Sequence, residues 1–257
     1  MCYEPSARPP PAPIAGAGGV EANELLLTSS DGARFSAFSA RAHRQSGVGI
    51  VILPDVRGLH PFYEDLAVRF AEAGVHATAF DYFGRSAGAG RRDDDFDFWP
   101  HVRKTTPDEI TADVRAAVLH VRSPEGGSAD AVFTVGFCFG GRNSFNQAAR
   151  GHGLAGVIGF YGRVARSDPD DENAPIDLAR SYECPVLGLF GGADRGISST
   201  DVEAFRSALE AAGVEAEIVS YDGAPHSFFD RAFDQYEAES DDAWRRMLDF
   251  IERNANR

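Results

Sequence analysis

One cysteine stands between two glycines at the end of an apolar run. Ala131 to Phe145 reads AVFTVGFCFGGRNSF, with Cys138 two residues from Gly136 and two from Gly140. A strand, then Gly-x-Cys-x-Gly, then a helix is the cysteine form of the nucleophile elbow, in which a tight turn holds the reactive side chain clear of the sheet. Side chains at Gly136 and Gly140 would crowd such a turn. The following helix points its first amides at the sulfur, which favours the reactive thiolate. The N–H of Phe139 would lie beside any oxyanion that forms. The plain alternative is a small packed hydrophobe, because cysteine is often simply buried.

A thiol nucleophile needs a base, and the base needs an orienting acid. With this elbow the order along the chain is nucleophile, acid, histidine. Of seven histidines only His152 and His226 follow Cys138. His152, in RGHGL, falls past the far end of the elbow's helix and reads as a solvated loop residue. His226, in YDGAPHSFF, follows the apolar run EIVSY. Function in a parallel sheet collects at the C-terminal ends of strands, so His226 is the expected base. By the same rule Asp194, which ends PVLGLFGGAD, is the expected acid. Asp168, Asp170 and Asp171 cluster in the polar RSDPDDENAP and read as solvated; Asp222, four residues before His226, reads as a turn residue.

The elements that must position these residues follow from periodicity. NELLLTS and ARFSAFSAR flank the turn residues Ser30, Asp31 and Gly32, which predicts a hairpin. VGIVILPD, VHATAFD, DAVFTVGF, LAGVIGFYG, CPVLGLFGGAD and EAEIVSYDG read as further strands. Between them, FYEDLAVRFAEAG, TPDEITADVRAAVLHVRS, a segment from roughly Gly141 to Arg150 and DVEAFRSALEAAG read as helices, and DDAWRRMLDFIERN closes the chain. Thr106, Pro107, Asp108 and Glu109 form a good helix start. Gly84 to Thr106 reads as an irregular insertion, with Phe96, Phe98 and Trp99 as an apolar lid or as anchors to the core. Strands alternating with helices this long predict βαβ crossovers and a mostly parallel sheet with an antiparallel edge.

Composition narrows the class. At 257 residues with 43% hydrophobic content, one full-sized α/β domain over 21–257 is expected, behind a flexible, Pro- and Gly-rich tail over 1–20. A net charge of −14 argues against nucleic acid or an anionic membrane as partner. No 18-residue apolar run exists, nor the apolar core of a secretory signal, so a cytoplasmic protein is expected. Cys2, Cys138 and Cys184 fit neither a disulfide framework nor a zinc site.

With these residues in hand, the sequence resembles the dienelactone hydrolase family of the α/β-hydrolase fold, from about Glu24 to Asn254. GFCFGG at the nucleophile, FGGAD at the acid, APHSFF at the base and DAWRRMLDFI at the end carry the resemblance. It implies a mostly parallel central sheet of about eight strands flanked by helices, and hydrolysis of a small lactone or ester that bears a carboxylate. The family opens dienelactone to maleylacetate in aromatic-compound breakdown, without metal or organic cofactor. The resemblance further implies that Asp55, in LPDVRG, helps activate the cysteine in place of the family's longer glutamate; a strand-end acid capping its turn is the alternative. It makes the amide of Val56 the second oxyanion donor. Arg85, in DYFGRS, and Arg231, one residue beyond the family's spacing, would receive the substrate carboxylate, although either could be a surface ion-pair residue. Tyr161, in GFYG, matches a position near the site. A monomer or small homo-oligomer is expected. An esterase or thioesterase on the same residues and a catalytically silent binding domain are the rival readings.

Overall fold

The structure, a computed structural model, describes residues 19–43, 46–93 and 95–256. Most of the expected tail, 1–18, thus lies outside the described residues, whereas Val20 already belongs to the first strand. The described residues cluster into two compact units, one reaching to Val132 and the other starting at Phe133. That boundary falls inside a strand.

The first unit opens with β1 (Val20–Thr28) and β2 (Arg34–Ala42), paired antiparallel throughout. Gly32 takes φ 84° in their turn, a conformation glycine adopts without a Cβ penalty. β2 pairs antiparallel with β4 (His76–Phe80), which runs parallel to β3 (Val48–Leu53). β3 is apolar and buried beyond Val48, and β4 is buried throughout with His76 and Thr78 as its polar members, as strands covered on both faces are. α1 (Pro61–Glu72) buries Phe62, Leu66 and Phe70. The stretch 84–106 is not wholly irregular: it holds two single-turn helices, α2 (Gly84–Ala87) and α3 (Trp99–Val102). α4 (Pro107–Arg122) starts on a reciprocal capping box between Thr106 and Glu109.

In the second unit β5 (Ala131–Phe137), β6 (Gly156–Phe160), β7 (Val186–Gly191) and β8 (Ala216–Tyr221) are parallel neighbours in sequence order. The crossovers carry α5 (Phe139–Gln147), the single-turn α6 (Pro175–Leu178) and α7 (Ser199–Ala211); α8 (Glu237–Asn254) ends the chain. α5 begins two residues earlier than the predicted Gly141 because Cys138 acts as its cap, its carbonyl accepting from Arg142 N–H at 3.2 Å. α7 buries Val202, Phe205 and Leu209, and α8 buries Trp244, Met247 and Ile251. The class is α/β: eight strands of a mostly parallel sheet, flanked by helices.

Candidate active site

β5 delivers the cysteine. Phe137, its last residue, is buried and stacks on Phe160 and Phe229 with centroids 4.8 and 5.8 Å apart. The chain then reverses through Cys138 at φ 55°, ψ −111°, strained for an L-residue and typical of sites whose surroundings over-determine them. A Cβ on Gly136 would lie 2.0 Å from the Gly140 carbonyl oxygen, so glycine is obligatory there. Cys138 N–H donates to Phe160 O at 3.0 Å, which ties the elbow to the end of β6. The thiol is free and partly exposed.

The acid and base arrive on the loops after β7 and β8, and backbone bonds lace those loops together. Gly192 N–H donates to Tyr221 O at 2.8 Å and Ala193 N–H to Ala224 O at 2.9 Å. The approach is so close that a Cβ on Gly191 would sit 2.5 Å from the carbonyl oxygens of Ala224 and Pro225. Asp194 is thereby brought under His226: its Oδ2 lies 2.6 Å from His226 Nδ1, while its Oδ1 accepts from Gly196 N–H at 2.7 Å. Only 3% of the Asp194 side chain is exposed, against 34% for His226.

With Nδ1 taken by the carboxylate, Nε2 is the ring nitrogen left to act on Cys138, whose sulfur is close enough to raise the imidazolium. The electrostatics of this row are lopsided. Burial pulls the His226 imidazolium down, but the hydrogen bonds to Asp194 and Cys138, and the charges of both, outweigh it and raise the group to about 10. A neutral-pH imidazolium between a carboxylate and a sulfur can hold a thiolate in place and donate a proton. The Tyr161 ring, fully buried, packs on the imidazole at 4.9 Å, with its backbone at φ 35° and its N–H donating to Leu189 O.

The structure therefore brings Cys138, Asp194, His226, Phe139 and Tyr161 to one set of strand ends in the second unit. Phe139 is the first residue of α5, where an N–H has no acceptor inside the helix. Arg231 follows five residues after His226, half-buried, its N–H donating to the Asp230 carboxylate. Two expectations of solvated residues need correction. His152 is 6% exposed and its Nε2 bonds Gln147 at 2.8 Å, and Asp171 is gripped at both oxygens by Arg142 (2.7 and 2.8 Å).

The remaining candidates lie in the first unit. Val56 is buried there after β3. Asp55, 2% exposed, has both oxygens taken by the Arg57 guanidinium at 2.5–3.0 Å and also accepts Arg57 N–H, which is the turn-capping alternative. Arg85 is bidentate to Asp31 (2.8 and 3.1 Å) and to Asp113 (2.7 and 2.8 Å), the arrangement of an ion-pair residue. Phe96 packs on Phe83 and stacks on His101 at 5.1 Å, anchoring the insertion, while Trp99 is 52% exposed. Sequence reasoning passed over the Gly191–Gly192 pair as a structural feature; its signal was the double glycine beside the expected acid. Among the described residues no three His, Cys, Asp or Glu side chains gather as metal ligands, and no helix is long and apolar enough to cross a membrane.

A family model described as the dienelactone hydrolase family matches residues 35–255. The chain belongs to the dienelactone hydrolase family. Membership makes it a carboxylic ester hydrolase of this type. The Salmonella typhimurium protein named "Putative carboxymethylenebutenolidase" is 31% identical over 97% of this chain and 94% of its own length. The Rhodococcus opacus carboxymethylenebutenolidase is 27% identical over 98% and 97%. Among solved structures, a "Putative Dienelactone Hydrolase" from Klebsiella pneumoniae superposes with TM-score 0.79 at 30% identity, covering 91% of this dienelactone hydrolase family member and 99% of that chain.

Proposed function

We propose that the protein opens a small enol lactone, of the kind that converts dienelactone to maleylacetate, with Cys138 as nucleophile, His226 as proton carrier and Asp194 as the anchor of His226. The observation that supports this reading is the Asp194 Oδ2–His226 Nδ1 bond at 2.6 Å, with Cys138 on its strained elbow close enough to shift the imidazolium. The family match spans 35–255 and so supports treating the chain as one hydrolase.

The cycle starts with the Cys138 sulfur, the nucleophile, beside the His226 imidazolium. The sulfur attacks the lactone carbonyl, and the oxyanion is held at the Phe139 amide, where the N-terminus of α5 favours negative charge. Collapse breaks the ring C–O bond; the departing enol oxygen takes the proton from His226 Nε2, and a thioester remains on Cys138. Water then attacks the thioester as neutral His226 removes its proton, and the thiolate leaves, restoring the starting pair. A thiolate leaves more readily than an alkoxide, so the first intermediate reverts unless the leaving oxygen is stabilised. That selects an enol lactone over a plain alkyl ester. Unpaired Cys138 and Cys184 suit a reducing compartment, which favours the cytoplasm.

A second reading, hydrolysis of a neutral aryl ester or thioester, is favoured by Arg85: its guanidinium is engaged by two aspartates rather than open to a substrate carboxylate. Wild type, Cys138→Ala and His226→Ala should be assayed on cis- and trans-dienelactone and on p-nitrophenyl acetate. Lactone turnover lost in both variants is the expected result. Turnover of the aryl ester alone selects the second reading, and tight lactone binding without turnover would mean a silent binding domain.

A further inference from the structure

β8 ends at Tyr221, and the loop carrying His226 departs from it. Tyr221 is bound in three ways. Its hydroxyl donates to Asp242 Oδ2 of α8 at 2.9 Å. Its carbonyl accepts from Gly192, in the loop of the acid, and from Ala224, in the loop of the base. Its ring packs on Phe228 at 5.1 Å, and Phe228 in turn packs edge-on against Tyr161, the residue that supports the His226 ring. Phe228 is itself fully buried two residues beyond His226.

Asp242 is not a lone acceptor. Arg246 Nε donates to the same Oδ2 at 2.5 Å and Arg245 to Oδ1 at 2.5 Å. Arg246 also reaches Glu217 at 2.6 Å, and Arg253 reaches the other Glu217 oxygen at 2.8 Å. Glu217 and Tyr221 are four apart on β8 and so share one face of the sheet. α8 therefore grips this strand at its beginning through ion pairs and at its end through the tyrosine hydroxyl. A network of this kind holds better than isolated surface pairs, since each guanidinium serves two carboxylates or each carboxylate two donors.

We infer that Tyr221, held by Asp242 of α8, is a positioning residue for His226: it fixes the foot of the base loop so that the imidazole keeps its bond to Asp194 and its place beside Cys138. This rests on the proposed Cys138–His226–Asp194 chemistry. The hydroxyl touches no reacting atom. It acts by removing freedom from a loop whose tip must stay within hydrogen-bond reach of two partners at once, and catalysis is steep in such displacements.

Three variants test it: Tyr221→Phe, which keeps the ring and loses the bond to α8; Asp242→Ala, which removes the acceptor; and Cys138→Ala. Turnover of p-nitrophenyl acetate or dienelactone, whichever the wild type hydrolyses, is expressed per mole of folded protein, the folded fraction being read from the amplitude of the urea unfolding transition, so that unfolded protein does not count. The expected result is a fall in kcat of about tenfold in both Tyr221→Phe and Asp242→Ala, with KM unchanged, as for a group that matters in the transition state alone. Wild-type kcat per mole of folded protein in Tyr221→Phe, or a fall matched by the loss of folded protein, overturns the inference while leaving the triad in place. Activity retained in Cys138→Ala overturns the triad reading, and this inference with it.

Discussion

Cys138 keeps a backbone conformation that an L-residue rarely adopts, and three neighbours enforce it: the missing side chain at Gly136, the Phe160 carbonyl that accepts its N–H, and the first turn of α5 built on its own carbonyl. Gly136→Ala places a methyl 2.0 Å from a carbonyl oxygen. We expect it to cost about 3 kcal/mol in urea unfolding, the upper end of ordinary overpacking, because backbone rather than a flexible side chain must yield. Burial pulls the His226 imidazolium down, but Asp194 and Cys138 outweigh it and raise the group to about 10; in the proposed cycle it supplies the proton to the leaving oxygen. It can do so only below that value, so kcat should fall as pH rises through about 10. Asp194→Asn removes a charge and alters the bond that sustain the shift, and the alkaline limb should move to lower pH; a limb that stays in place would show that another group sets it. The placement of Cys138, Asp194 and His226 at neighbouring strand ends was legible because each is a rare residue type beside a glycine-marked strand end. The ion pairing of Asp55 and Arg85 was not, because Arg57 lies only two residues from Asp55 but its side-chain direction is set by packing, and Asp31 and Asp113 lie 54 and 28 residues from Arg85.

The insertion 84–106 shows how an irregular segment is held. Arg92, 7% exposed, reaches the fully buried Asp81 at the end of β4 with bonds of 2.9 and 3.2 Å, and its guanidinium lies 4.6 Å over the Phe96 ring. Asp81 also accepts the N–H groups of Leu59 and Phe83. Removing the cation leaves a buried carboxylate facing only backbone dipoles, so Arg92→Met should lower stability by about 3 kcal/mol, read from urea titration. α4 was legible to its first residue, since Thr106 and Glu109 cap each other across three positions and both signals are local. The single turns α2 and α3 were not: helices of four residues bury too little of a periodic face to leave a pattern.

A net charge of −14 leaves the protein short of cations, and the described arginines are largely engaged in ion pairs. Its response to acid should reflect two histidines of the first unit. Burial, and then the charge of Arg41, lower His76; burial foremost also lowers His120, whose Nε2 meets Ser39 Oγ at 3.1 Å. In both the folded value lies below the unfolded value of about 6.5, so below that pH the unfolded chain binds protons that the folded chain refuses. These two histidines therefore favour pH 7.5 over pH 5.5, whereas His226, raised to about 10, favours the lower pH; relative to wild type, His76→Gln should lower the ratio of the urea midpoint at pH 7.5 to that at pH 5.5.

Strand-and-helix alternation, the Gly-flanked cysteine and the order Cys138, Asp194, His226 are written in local residue types, because secondary structure and tight turns depend on neighbours within a few positions. Which distant arginine met which carboxylate and the lacing of the β7 and β8 loops through Gly191 and Gly192 were decided by tertiary contact alone. The bond between His226 and Asp194 belongs to the second group as well: the two lie 32 residues apart along the chain, and their 2.6 Å contact exists only once parallel strands have brought their ends together.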